Sequence, residues 1–177
     1  MNYSALLRSS PLLFAGCLLL APLKGATPEE KIVELGLQLP PPAQAVANYV
    51  PAVRTGSLIY LAGHLPRDAA GKVVTGKLGQ DVSEEAAVEA ARLTGLALLG
   101  TLQHELGSLD RVRRVVRVGG FVNATTDFSR HSIVINGCSD LLVAVFGEKG
   151  RHARAAVGVA SLPLGAVVEI ELVVEVE

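Results

Sequence analysis

The run Val167-Val168-Glu169-Ile170-Glu171-Leu172-Val173-Val174-Glu175-Val176 decides the architecture. Val168, Ile170, Leu172, Val174 and Val176 occupy every second position, with Glu169, Glu171, Val173, Glu175 and Glu177 between them. Side chains on a strand alternate between faces, so this is a strand with one buried face and one largely polar face. Such a strand belongs to a sheet covered on one side only. Just upstream, Arg154–Leu162 reads as another strand, and Pro163-Leu164-Gly165 as a tight turn joining the two.

The pattern continues outward. Val112–Val122 is a Val-rich strand, and a helix follows from about Ile133 to Phe146, with Cys138, Leu141, Leu142 and Val145 at helical spacing and Gly147 as its stop. Asp81, with Glu84 three residues on, predicts a capping box opening a longer helix. Its apolar face is Ala86, Ala90, Leu93 and Ala97, widened by Leu96, Leu99, Leu102 and Leu106, and Gly107 stands where a left-handed cap is needed. Tyr49–Pro66 reads as two short strands about a turn at Arg54-Thr55-Gly56-Ser57. Thr27-Pro28-Glu29-Glu30 starts a short helical segment that Pro40-Pro41-Pro42 stops. Strand, strand, helix, strand, helix, strand, strand predicts an α+β domain: a mixed β-sheet with two helices packed on one face.

With 177 residues, half of them hydrophobic, the chain suffices for one well-filled domain. Sixteen basic residues against 17 acidic give a net charge of −1, which excludes a general nucleic-acid binder held by a phosphate-matching field. Aromatic residues are 4% and Trp is absent, so stacking platforms for single strands are scarce. The two cysteines, Cys17 and Cys138, and the scattered His64, His104, His131 and His152 show no zinc spacing, and no metal site is expected. Met1–Ala26 differs from the rest: Leu12–Leu23 is apolar apart from Gly16 and Pro22, Arg8 precedes it, and no acid occurs before Glu29. It reads as an N-terminal leader or targeting segment over residues 1–26, too short for a comfortable membrane span, with the domain at 27–177. Its destination is left open between the cytoplasm, a mitochondrion and export through the apolar segment.

Phosphate loops, dinucleotide-binding glycine units and nucleophile elbows are absent from the sequence. Arg154 opens a strand in an otherwise uncharged stretch, where its planar fork suits a carboxylate; the plainer alternative is a strand-end arginine in water. Glu169 is either an isolated acid or one of a solvated glutamate row. Tyr49 is a hydrogen-bonding hydroxyl or simply a strand aromatic. Arg111, Arg113, Arg114 and Arg117 suggest either an RNA stripe or, with net charge near zero, a wet sheet edge or interface.

Taken in order, the segments from Arg154-Ala155-Ala156 through Leu162-Pro163 to Glu169-Ile170-Glu171 resemble the closing signature of the Rid (reactive intermediate deaminase, YjgF) family. Ala47-Asn48-Tyr49-Val50-Pro51-Ala52-Val53 and Tyr60-Leu61-Ala62-Gly63-His64-Leu65-Pro66 agree in order and spacing, so the resemblance spans about Ala43 to Val176. It implies a chorismate-mutase-like fold, a homotrimer with clefts between subunits, and hydrolysis of enamines and imines to 2-keto acids and ammonia. That is the chemistry of 2-iminobutanoate/2-iminopropanoate deaminases. Carried over by position, Arg154 grips the substrate carboxylate and Glu169 holds the water, while Tyr49 and Gly63 line the cleft and Asn136 matches a helix asparagine. Ala156 stands where Cys or Thr is usual and offers only backbone N–H and C=O; Ala62 replaces a Ser and His64 a Gln.

The implied partners are a small imine or carboxylate and further copies of the chain, with no stable nucleic-acid partner and no membrane span in the mature domain. Imine hydrolysis needs a fixed carboxylate, a positioned water and a proton donor, and no cofactor. Two alternatives are an endoribonuclease and translation inhibitor of the L-PSP type, and a non-catalytic binder of small carboxylates. If the last two strands form a hairpin about Leu164, Glu169 comes opposite Gly158, and Arg154 is on the order of 13 Å from Glu169 on one sheet.

Overall fold

The computed structural model describes residues 25–42 and 48–177. The leader up to Lys24, Cys17 within it, and residues 43–47, where the family resemblance begins, lie outside the described residues. The elements are α1 (Pro28–Glu34), β1 (Ala52–Thr55), β2 (Leu58–His64), α2 (Glu84–Leu106), β3 (Val112–Asn123), α3 (His131–Phe146), β4 (Ala153–Val159) and β5 (Val168–Val176). The alternation of apolar and polar residues is realised on β5. Val168, Ile170, Leu172, Val174 and Val176 are buried, and the residues between them are partly exposed. Burying each such side chain contributes roughly 1.5–3 kcal/mol, so a one-residue slip of β5 would forfeit the whole set.

The sheet order is β1-β2-β5-β3-β4, antiparallel except where β4 runs parallel to β3. The expected C-terminal hairpin is therefore not formed. The turn Pro163–Gly165 carries the chain past the end of β3, which lies between β4 and β5, so the last two strands never pair. A tight turn between two strand signals looks the same in sequence whether the strands meet or flank a third.

Helices α2 and α3 lie side by side on one face, α2 against β2 and β5, α3 against β3 and β4. They approach closely because Gly137 faces the α2 backbone: a Cβ there would overlap the Val88 carbonyl oxygen. The longer helix starts later than expected. Ser83 is its N-cap, its hydroxyl accepting from Ala86 N–H at 3.2 Å, whereas the Asp81 carboxylate accepts from Lys77 N–H at 2.6 Å and shapes the preceding loop. Gly107 caps the far end in the left-handed conformation. Helix α3 begins two residues earlier than expected, at His131. The N-terminal helical segment is shorter than expected, because Gly36 at φ 64° ends it well before the prolines. Thr27 and Glu30 form its capping box, and Glu29 accepts from Ser108 Oγ–H and Leu109 N–H at 2.9 and 2.6 Å, tying α1 to the start of β3. The other face of the sheet has no covering layer among the described residues, and Val53, Tyr60 and Val157 are exposed on it.

Candidate active site

Arg154 sits on β4, an edge strand, in register with Val118 of β3, a core residue under the helices. Paired residues point to the same face, so Arg154 turns toward α3. There α3 presents the side chains of Asn136 and Ser139, three residues apart on one face, and the backbone carbonyl of Ser132 one turn earlier. The guanidinium Nη1 donates to Asn136 Oδ1 at 2.9 Å and to Ser139 Oγ at 3.0 Å, and Nη2 donates to the Ser132 carbonyl at 3.2 Å. Of the five N–H donors of an arginine, Nε–H and one on Nη2 therefore carry no bond among the described residues, and the side chain is exposed. His152 stands two residues earlier on the same side. Its Nδ1 lies 2.6 Å from the Gly150 carbonyl and its Nε2 lies 3.0 Å from Ser139 Oγ. Ala156, two residues on, packs its methyl toward the core. The fully buried Cys138 thiol is pushed up to about 12 by burial against the weaker pull of Arg154, so it stays protonated and takes no part.

Glu169 lies on the open face, in a row with Phe121 of β3 and Val157 of β4. The later glutamates of β5 are paired, Glu171 with Arg117 at 2.6 Å and Glu175 with Arg114 at 2.7 Å. Glu169 makes no hydrogen bond or ion pair among the described residues. Burial, and after it the charge of Glu171, holds its carboxyl above the ordinary value. The β2–β5 register shifts between Leu61 and His64, and this bulge brings Gly63 against Glu169; a Cβ on Gly63 would overlap Glu169 Oε1. His64 anchors the bulge from the other side. It is buried, its Nδ1–H donating to the Ala62 carbonyl at 2.8 Å and its Nε2 accepting from the Thr101 hydroxyl at 2.8 Å; burial lowers its pKa and keeps the ring neutral.

A family model described as "YjgF/chorismate mutase-like, putative endoribonuclease" matches residues 29–176. The chain belongs to the YjgF/chorismate mutase-like family. It is similar to Protein TCP17 of Trypanosoma cruzi, at 46% identity over 80% of this chain and 89% of that one. Among solved structures it resembles Atu1372 of Agrobacterium tumefaciens, of unknown function, at 44% identity and TM-score 0.77 over 85% of this chain and 92% of the other. It also resembles RidA of a Psychrobacter species, at 30% identity and TM-score 0.53 over 77% of this chain and 94% of the other.

In this YjgF-family chain the site residues separate into two groups. Asn136 joins Arg154, and Gly63 joins Glu169, but the two groups occupy opposite faces of the sheet. This corrects the hairpin geometry. Two strand spacings and three residue steps separate Glu169 from Arg154, about 14 Å, with the sheet itself between their side chains. Tyr49, on the segment before β1, is exposed and shares no hydrogen bond with either. Ser139 was missed from sequence, although its spacing with Asn136 along a helix facing an arginine-bearing strand was a usable signal; Ser132 offers only its backbone carbonyl, which no residue type marks. The arginine row does not form a free stripe: Arg114 and Arg117 are tied to glutamates and Arg111 donates to the Leu106 carbonyl at 2.9 Å, leaving Arg113 without a partner among the described residues. Among the described residues no three His, Cys, Asp or Glu side chains gather to hold a metal.

Proposed function

We propose that this chain hydrolyses small 2-imino and 2-enamino acids to 2-keto acids and ammonia, in a cleft shared by two copies of the chain within a homotrimer. The observation that carries the reading is Arg154: a guanidinium immobilised by three acceptors, exposed, with N–H donors left over. A planar fork fixed in that way suits a carboxylate and spares the ordering cost of a free arginine. The rest of the reaction needs a group that takes a proton from water as it adds to the C=N carbon, then returns it to the nitrogen as ammonia leaves. Glu169 is suited to this, since it is partly buried, has no ion pair among the described residues and is held by burial above the ordinary carboxylate value, so it exchanges protons more readily than an ion-paired carboxylate. A substrate spanning only a few atoms cannot touch both groups of one chain across its own sheet. It can do so where the open face of one copy meets the β4 edge and α3 of the next.

The endoribonuclease reading is less well supported, because three of the four arginines on or beside β3 are already engaged within the chain. The deciding experiment generates imine with an amino-acid oxidase or dehydratase and times ammonia release with and without the protein, alongside light scattering. Faster release by a trimer is expected. Unchanged release with tight 2-keto acid binding would favour a carboxylate binder, and salt-sensitive RNA cleavage would favour the nuclease.

A further inference from the structure

We propose that His152, acting through Ser139, is a positioning residue that holds the Arg154 guanidinium with its unbonded N–H groups presented to a carboxylate. The inference rests on the reading of Arg154 as the carboxylate clamp. A carbonyl oxygen only accepts, so the 2.6 Å contact of His152 Nδ1 with Gly150 O places a hydrogen on Nδ1. In the neutral ring Nε2 then carries a lone pair, and the Ser139 hydroxyl at 3.0 Å donates to it. That choice turns the oxygen's lone pairs toward Arg154, whose Nη1 donates to them at 3.0 Å. The result is a directed chain of bonds from Arg154 to Ser139 to His152 to the Gly150 carbonyl, with every donor and acceptor in a consistent sense.

Without His152 the hydroxyl has a different use. A serine within a helix readily bonds back to the carbonyl four residues earlier, here Ile135, and its oxygen then rotates away from the strand. Nη1 would keep only Asn136, and the fork could pivot about that one bond. His152 is well placed to prevent this. It stands two residues past the end of the turn Gly147–Gly150 and lies on the same face of the chain as Arg154, so the turn that supplies its acceptor also fixes its distance from α3. Arg154 is thus positioned by the segment before its own strand as well as by the helix beneath it.

The test uses the full chain and 2-oxobutanoate, a stable 2-keto acid, as carboxylate probe, with ammonia release measured in parallel. His152→Gln keeps an acceptor near the place of Nε2, and His152→Asn keeps only a donor near that of Nδ1. His152→Asn and Ser139→Ala are expected to weaken 2-oxobutanoate binding and raise KM about threefold to tenfold, with kcat little changed, while His152→Gln stays near wild type. Combining Ser139→Ala with His152→Asn should add nothing to Ser139→Ala alone, because the two act in series. Wild-type affinity in both His152→Asn and Ser139→Ala would overturn the proposal. So would equal losses in the Gln and Asn variants, or a lowered melting temperature in His152→Asn with affinity unchanged. If wild type releases no ammonia but the Gln–Asn contrast in binding holds, the deaminase reading fails and the positioning role stands; normal turnover without the contrast sinks the positioning role alone.

Discussion

Gly63→Ala separates the position of Glu169 from the stability of the fold. The backbone at Gly63 is not in the left-handed region, so alanine fits it without strain. The new methyl would overlap Glu169 Oε1 and lie 2.8 Å from Cδ and 3.0 Å from Cγ. Only the end of a flexible side chain stands in its way, so the carboxylate swings aside and the strands keep their register. A gain of about 0.4–1 kcal/mol from the stiffer unfolded chain offsets part of any strain, and the melting temperature should hardly move. The chemistry should not escape. A displacement of about 1 Å in a reacting group costs on the order of a hundredfold, and that is the expected fall in ammonia release at saturating imine. Binding of 2-oxobutanoate should fall far less than turnover, because the substitution leaves the three bonds that hold the Arg154 guanidinium intact on the opposite face of the sheet within each chain. Full activity in a folded Gly63→Ala protein would refute the assignment of Glu169 as the proton-transfer group.

Arg154→Ala should lower kcat/KM by about tenfold to several hundredfold, and Arg154→Lys should recover little of it, whereas Arg113→Ala leaves steady-state deamination unchanged. Glu169 has a folded pKa above its unfolded value, so its protonated form favours the fold, and that contribution is complete below the unfolded value and is lost as pH rises through the folded one. Glu169→Gln should therefore melt higher than wild type at neutral pH but not at pH near 4, as thermal scans would read, while losing ammonia release. His64 shifts the other way: its folded pKa lies below the ordinary 6.5, so its contribution is full above 6.5 and lost as pH falls through the folded value. His64→Gln should show a shallower fall in melting temperature between pH 8 and pH 5 than wild type.

Local patterns were legible in the sequence and pairings were not. The alternation on β5 gave both the strand and its buried face, because side-chain direction depends only on parity along the chain. The caps at Gly107 and Thr27 were legible for the same local reason. Asp81 and Ser83 are both good N-caps, and which one serves was settled by the Lys77 amide, which claims the Asp81 carboxylate first. The insertion of β3 between β4 and β5 rests on pairings between residues 36 to 64 positions apart, and nothing within the Pro163 turn encodes it. The two groups of site residues follow the same division. Arg154 and Glu169 stood out by chemical type, but their being on opposite faces follows from strand order. Ser139 was invisible as a single hydroxyl on a helix and acquires meaning only from the histidine and arginine that flank it.

The placement of Arg154 and Glu169 on opposite sides of one sheet has a genetic consequence. If each cleft draws its arginine from one copy and its glutamate from the next, lesions in the two halves are not equivalent to two lesions in one chain. Arg154→Ala chains still carry a sound glutamate, and Glu169→Gln chains a sound arginine. Co-expressed, the two inactive alleles would complement each other at those subunit boundaries where the sound halves meet. A chain carrying both changes would instead poison every boundary it joins, and would act as a dominant inhibitor in a mixed population.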